Sequence, residues 1–136
     1  MATLKTNTLT GTSTAGSIAV TGEGNSTTTN LQQGLCKAWI NFNGTGTIAA
    51  RDSFNLSGLT DNGTGDFTRT ISSAFATANY STAGGGGLTS ASVGTFSHHV
   101  NAAPTTTAFR VQTANFAMDG LVDWTYVEIN SFGDLA

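Results

Sequence analysis

The chain is predicted to be all-β, an antiparallel β-sandwich or jelly roll that follows an extended N-terminal arm. Three observations predict it. Two near-identical turns, Asn43-Gly44-Thr45-Gly46 and Asn62-Gly63-Thr64-Gly65, join extended segments, and an Asn-Gly pair tolerates the positive φ that tight hairpins demand. The segments between the turns alternate with a period of two, the signature of half-buried strands. Charged residues make up 10% of the 136 positions against about 25% in an ordinary domain. Thr, Ser, Gly and Asn fill the gap, favouring strands and turns, while eight Phe, two Trp and two Tyr supply a core.

Taken in order, residues 1–34 form the arm. Their apolar side chains are isolated: Leu4, Leu9, Ile18 and Val20. Burying so few does not offset the entropy of ordering the segment. The arm is expected either to stay loose or to add strands to a neighbouring subunit's sheet, and these four residues are candidate subunit contacts. Residues 30–34 predict one helical turn stopped by Gly34.

The sandwich is expected over 35–136, with its nucleus at 35–75. There Ala38, Ile40 and Phe42 share one face and Lys37, Trp39 and Asn41 the other. Phe54 and Leu56 oppose Ser53, Asn55 and Ser57. Phe67, Arg69 and Ile71 oppose Asp66, Thr68 and Thr70. A further strand is predicted at 78–83 around Tyr80. Gly84, Gly85, Gly86 and Gly87 read as a loop or hairpin tip. Strands follow at 88–100 through Val93 and Phe96, at 108–114 with Phe109 and Val111 on one face, and at 122–130; Pro104 breaks the run between the first two. In the last strand Trp124, Tyr126 and Glu128 share a side. Trp39 and Trp124 therefore face away from the smaller apolar residues of their strands. An exposed Trp carries too much apolar surface to leave in water, so at least one is expected to pack on another subunit. The alternative is that the two Trp fill the core and the smaller residues face out.

No active site is expected. His98 and His99 are adjacent in a strand and point to opposite faces, and no GxSxG elbow accompanies them. Neither histidine brings enough companions for a metal site. Asp61 and Asp66 flank a turn, where Asp serves turn chemistry. Gly84–Gly87 lacks the Lys-Ser/Thr and the helix of a phosphate loop. Cys36 is single and reads as a small buried apolar residue. The net charge is −3, and five scattered Lys and Arg build no stripe for nucleic acid. No apolar run reaches the ~20 residues of a membrane span. The N-terminus lacks the apolar centre of a signal peptide, so the chain is expected either to stay in a reducing cytoplasm or to reach the outside by cell lysis rather than secretion. No cofactor is expected.

The run KAWINFNGTGTIAARDSFNLSGLTDNGTGDFTRTISSAF resembles a segment of structural proteins of tailed bacteriophages, the marine and cyanobacterial phages above all. The preceding LKTNTLTG, GSIAVTGEG and TTTNLQQGLCKAW are similar to the lead-in of those proteins, and the closing FGDLA to their C-terminus. The resemblance spans the chain except for about residues 76–120. It implies a non-enzymatic virion component, a homotrimeric tail fibre or appendage tip assembled in the host cytoplasm. Its partners would be itself, other virion proteins, and a host surface glycan or protein, met by a variable surface near Gly84–Gly87. A capsid decoration protein that clamps neighbouring subunits with its arm is the alternative. A carbohydrate-active enzyme is a third, opposed by the missing carboxylate pair and the missing signal peptide.

Overall fold

The computed structural model describes residues 3–14, 18–87, 94–115 and 120–136. The chain divides into two compact units, Met1–Leu35 and Cys36–Ala136. In the first, β1 (Ala19–Thr21) pairs antiparallel with β2 (Thr28–Asn30). Asn25, at φ +54, turns the tip. The single helical turn α1 (Leu31–Gly34) follows, and the Asn30 side chain accepts from the amides of Gln32 and Gln33, as an N-cap does. Residues 18–34 thus have local structure of their own, yet no residue of β1, β2 or α1 is buried.

The second unit is all-β and sandwich-like, with antiparallel sheets. Its strands are β3 (Cys36–Asn43), β4 (Ala49–Phe54), β5 (Leu56–Gly63), β6 (Asp66–Ile71), β7 (Ser81–Gly87), β8 (Gly94–His98), β9 (Ala108–Asn115) and β10 (Tyr126–Phe132). One sheet runs β4-β3-β10-β7 and the other β5-β6-β9-β8. The predicted alternation holds in β3 and β6: Ala38, Ile40, Phe42, Phe67, Arg69 and Ile71 are all buried. Both sheets feed one core of Ile40, Phe42, Phe67, Phe109, Val111, Trp124, Val127 and Ile129. Phe42 and Phe67 meet edge to face across it, 5.2 Å between centroids.

Four expectations change. The stretch around Phe54 is not one strand, because Asn55 sits at φ +59 and hands the chain from the first sheet to the second. Its amide nitrogen donates to the carbonyls of Lys37 and Ser73, and its oxygen accepts from the Ser73 amide. Asn is the non-Gly residue best suited to that conformation. Phe54 is consequently exposed at 53% while Leu56 packs on the core.

The glycine run, expected as a loop, is the second half of the edge strand β7. Gly84 to Gly87 pair in register with Ile129, Glu128, Val127 and Tyr126. The strand predicted at 78–83 starts later, at Ser81; Tyr80 precedes it and stacks on Phe75 at 4.1 Å. The last strand begins at Tyr126, not at residue 122, so Trp124 lies outside it and turns into the core at 3% exposure. Of the strand predicted over 88–100, Leu88 to Val93 lie outside the described residues.

Candidate functional site

The outer face of the β4-β3-β10-β7 sheet gathers the exposed aromatic side chains of the sandwich. Because β-strand side chains alternate, burying Ile40, Phe42, Val127 and Ile129 turns Trp39, Asn41, Tyr126, Glu128 and Asn130 outward. Register sets them in rows. Phe54, Trp39, Asn130 and Ala83 lie side by side, as do Asp52, Asn41, Glu128 and Gly85. Tyr126 and Gly87 share the next row. Trp39 is half-buried, and Tyr126 is 45% exposed.

The middle of this face is tied together. Asn41 Nδ2 donates to Glu128 Oε1 at 2.8 Å. The Arg51 guanidinium lies 4.3 Å from the Tyr126 ring centroid, the geometry of a cation–π contact. It also donates to Asn41 Oδ1 at 3.2 Å and to the Thr125 carbonyl at 2.6 Å. Arg51 is thereby committed to the protein. The polar groups left open are acceptors and one amide. Glu128 Oε2, Asp52 Oδ2 and the Asn130 side chain make no hydrogen bond among the described residues.

Beside this network runs the glycine strand, in which neighbouring glycines differ. A Cβ on Gly84 would overlap the Phe96 ring, and one on Gly86, at φ +145, the Tyr126 carbonyl. Those two glycines are required by packing. A Cβ on Gly85 or Gly87 would meet nothing within 4 Å, so these two form a bare ledge beside Glu128 and Tyr126.

The opposite sheet carries a charged cluster on its outer face. Arg110 grips Asp66 with both Nε and Nη2, at 2.7 and 2.6 Å. His99 Nδ1 accepts from the Asn101 amide, which assigns the ring proton to Nε2, 3.5 Å from Asp66 Oδ2. Asp66 therefore does more than the turn chemistry expected of it, whereas Asp61 does just that, accepting from the Gly63 amide at 2.9 Å. The other histidine, His98, lies edge-on to Phe109 and 3.2 Å from Thr82 Oγ1. The Arg110 hydrogen bonds hold the Asp66 carboxyl below its usual value of 3.8; burial opposes them, and the charge of Arg110 reinforces them. A lowered carboxyl pKa stabilises the fold above the unfolded value and ceases to as pH falls through the folded one. The urea midpoint is therefore expected to drop as pH falls below about 4, and Asp66→Asn to flatten that slope. An unchanged slope in the variant would remove Asp66 as its source.

Arg69, on the core side of β6, is 1% exposed and donates from Nη2 to Ser131 Oγ at 2.9 Å. Its Nε and Nη1 meet no acceptor among the described residues. Burial pushes its pKa below the ordinary arginine value, against the pull of nearby Tyr80 and Cys36. Cys36 itself is half-buried, its thiol near the carbonyls of Ala38 and Ser131.

Of the residues the sequence singled out, Trp39 and the glycines reach the candidate face. Trp124 does not; buried within its own chain, it is withdrawn as a subunit contact. Leu4, Leu9 and Val20 are exposed in the N-terminal unit and Ile18 is half-buried there. Phe54, Tyr126, Arg51, Asn41 and Glu128 were missed. Only cross-strand register brings them to one face; the sequence signal was the parity that Asn41 shares with Trp39 and Glu128 with Tyr126, and Phe54 and Arg51 carried none. Among the described residues no three His, Cys, Asp or Glu group as a metal site, and no helix is long and apolar enough to cross a membrane. Comparison with family models, curated proteins and solved structures finds no match.

Proposed function

We propose that the chain is a non-enzymatic structural protein of a bacteriophage virion, the tip of a tail fibre or receptor-binding appendage. The observation that carries this reading is the open face of the β4-β3-β10-β7 sheet, where Phe54, Trp39 and Tyr126 flank polar groups with unused hydrogen-bonding capacity. Phe54 and Trp39 are cross-strand neighbours on this face, and apolar surface gathered at one exposed place marks where a partner docks. The sequence resemblance to phage structural proteins points the same way.

The N-terminal unit supplies the means of attachment. It buries none of β1, β2 or α1, and Leu4, Leu9 and Val20 stand exposed. Contacts from neighbouring copies or other virion proteins would cover them, and a threefold ring of identical chains closes with one interface type. A homotrimer, the number that the resemblance to phage fibre proteins implies, is expected by light scattering, with residues 1–34 resisting protease in the assembly. A monomer, or an arm cut as fast as a free peptide, would overturn the trimer. Immunogold electron microscopy of the virion tests the location. Label on the tail or its fibres is expected; label over the capsid shell would replace this reading with a decoration protein.

A further inference from the structure

We infer that the open face binds a neutral oligosaccharide, laid over the Gly85–Gly87 ledge between Tyr126 and the Trp39–Phe54 pair. This deepens the receptor-binding reading and rests on it only for the natural source of the sugar.

Three observations converge on that ligand. The first is the ledge. Gly84 and Gly86 are glycine because a Cβ would strike Phe96 or the Tyr126 backbone, but nothing among the described residues demands glycine at 85 or 87. Neither has positive φ, and a side chain at either would meet open space. Glycine weakens a strand interior and marks a bulge, a tight bend, or a close approach by a ligand or another backbone; β7 pairs with β10 without a register shift here, which leaves close approach.

The second observation is the hydrogen-bonding balance. The open polar atoms are acceptors on Glu128 and Asp52 and the Asn130 amide, while Arg51 is spent on Asn41, Thr125 and Tyr126, and Lys37 is buried. A polyol offers many hydroxyl donors to such a surface. A sialylated or sulfated glycan would bring its charge against two carboxylates, so the ligand is uncharged.

The third is the placing of the aromatic groups. Trp39 and Tyr126 lie two rows apart, about 13 Å along the strands, with the polar row of Asp52, Asn41 and Glu128 between them. Ring faces are electron-rich and attract the weakly positive C–H faces of pyranose rings. A short oligosaccharide spans both and presents its hydroxyl edges to the middle row. A second copy of the chain fits worse. Protein interfaces concentrate apolar area and exclude charge from their centres, and here Glu128 stands on the central strand β10, with Arg51 reaching over Tyr126 from the edge strand β4.

The test is titration of the full chain, labelled with nitrogen-15, with maltoheptaose, cellohexaose, chitohexaose and mannohexaose, and with 3′-sialyllactose and heparin hexasaccharide as charged probes. At least one neutral probe is expected to shift the Trp39 indole signal together with the Gly85 and Gly87 amides. Gly85→Val with Gly87→Val fills the ledge without a clash and should weaken that binding about tenfold or more, at a urea midpoint no lower than the parent's. Trp39→Ala should weaken it by a similar factor. Four results would each overturn the inference: no neutral probe moving these signals at millimolar concentration, tighter binding of the charged probes, undiminished binding in the filled-ledge variant, or self-association through this face. Binding by a protein found on the capsid shell would leave the inference standing and remove only the appendage reading.

Discussion

Trp124→Ala is expected to cost the sandwich about 3–5 kcal/mol, the range for removing a buried Trp from a core, enough to remove much of the stability of an ordinary domain. Trp124 is 3% exposed and packs among Phe42, Phe67, Val111 and Val127. Its indole lies where a Cβ on Gly94 would be, so the fold has set aside a glycine to admit it. Its backbone has a second task. The Trp124 carbonyl accepts from the Gly44 amide at 2.9 Å, and the Asp123 carboxylate accepts from the Gly65 amide at 2.6 Å. The segment just before β10 thus ties down both Asn-Gly turns at once. Losing the indole leaves a cavity beneath that tie, and both turns are expected to gain amide exchange. Trp39→Ala, on the open face, should cost about 1 kcal/mol or less. Urea unfolding followed by circular dichroism separates the two. Equal losses in the two variants would show that Trp124 does not anchor the core.

What the sequence showed and what it hid follow from the range of the interactions involved. Strand parity in β3 and β6 is local, fixed by the pleat of a single segment, and reading every second residue put Ala38, Ile40 and Phe42 on one face and Phe67 and Ile71 on one face, while which face of β3 is buried stayed open. The Asn-Gly turns were legible for the same reason. Trp124 was misread because parity holds only inside a strand, and where β10 starts is decided by what residues 121–124 bind elsewhere: Gly44, Gly65 and Thr113. Asn55 was misread because a single residue at positive φ leaves the surrounding alternation intact while reversing its meaning. The candidate face needed the most distant information. Asn41 and Glu128 are 87 positions apart, and Arg51 meets Thr125 across 74. No window on the sequence contains such pairs. Trp39 could be singled out from its own strand, but its companions required the sheet order β4-β3-β10-β7.

Gly86→Ala is expected to destabilise the sandwich by about 3 kcal/mol or more, whereas Gly85→Ala, one residue away, should be neutral or slightly stabilising. Four glycines in a row look interchangeable, and composition alone favours a loop because each loses more backbone entropy on ordering than any other residue. Edge-strand pairing with β10 orders them nonetheless, and from there the positions diverge. Gly86 holds φ +145, a region L-residues occupy at a cost of about 1–3 kcal/mol. A Cβ there would also overlap the Tyr126 carbonyl, which sits in the central strand β10 and has little freedom to yield; overpacking of that kind adds about 1–3 kcal/mol. At Gly85 neither penalty applies, and alanine restricts the unfolded chain more than glycine does, a stabilising effect of about 0.4–1 kcal/mol. Measured side by side in urea, the two variants should straddle the parent. If Gly85→Ala falls as far as Gly86→Ala, the ledge is a packing requirement of the strand, and the open space beside Glu128 and Tyr126 no longer argues for a ligand.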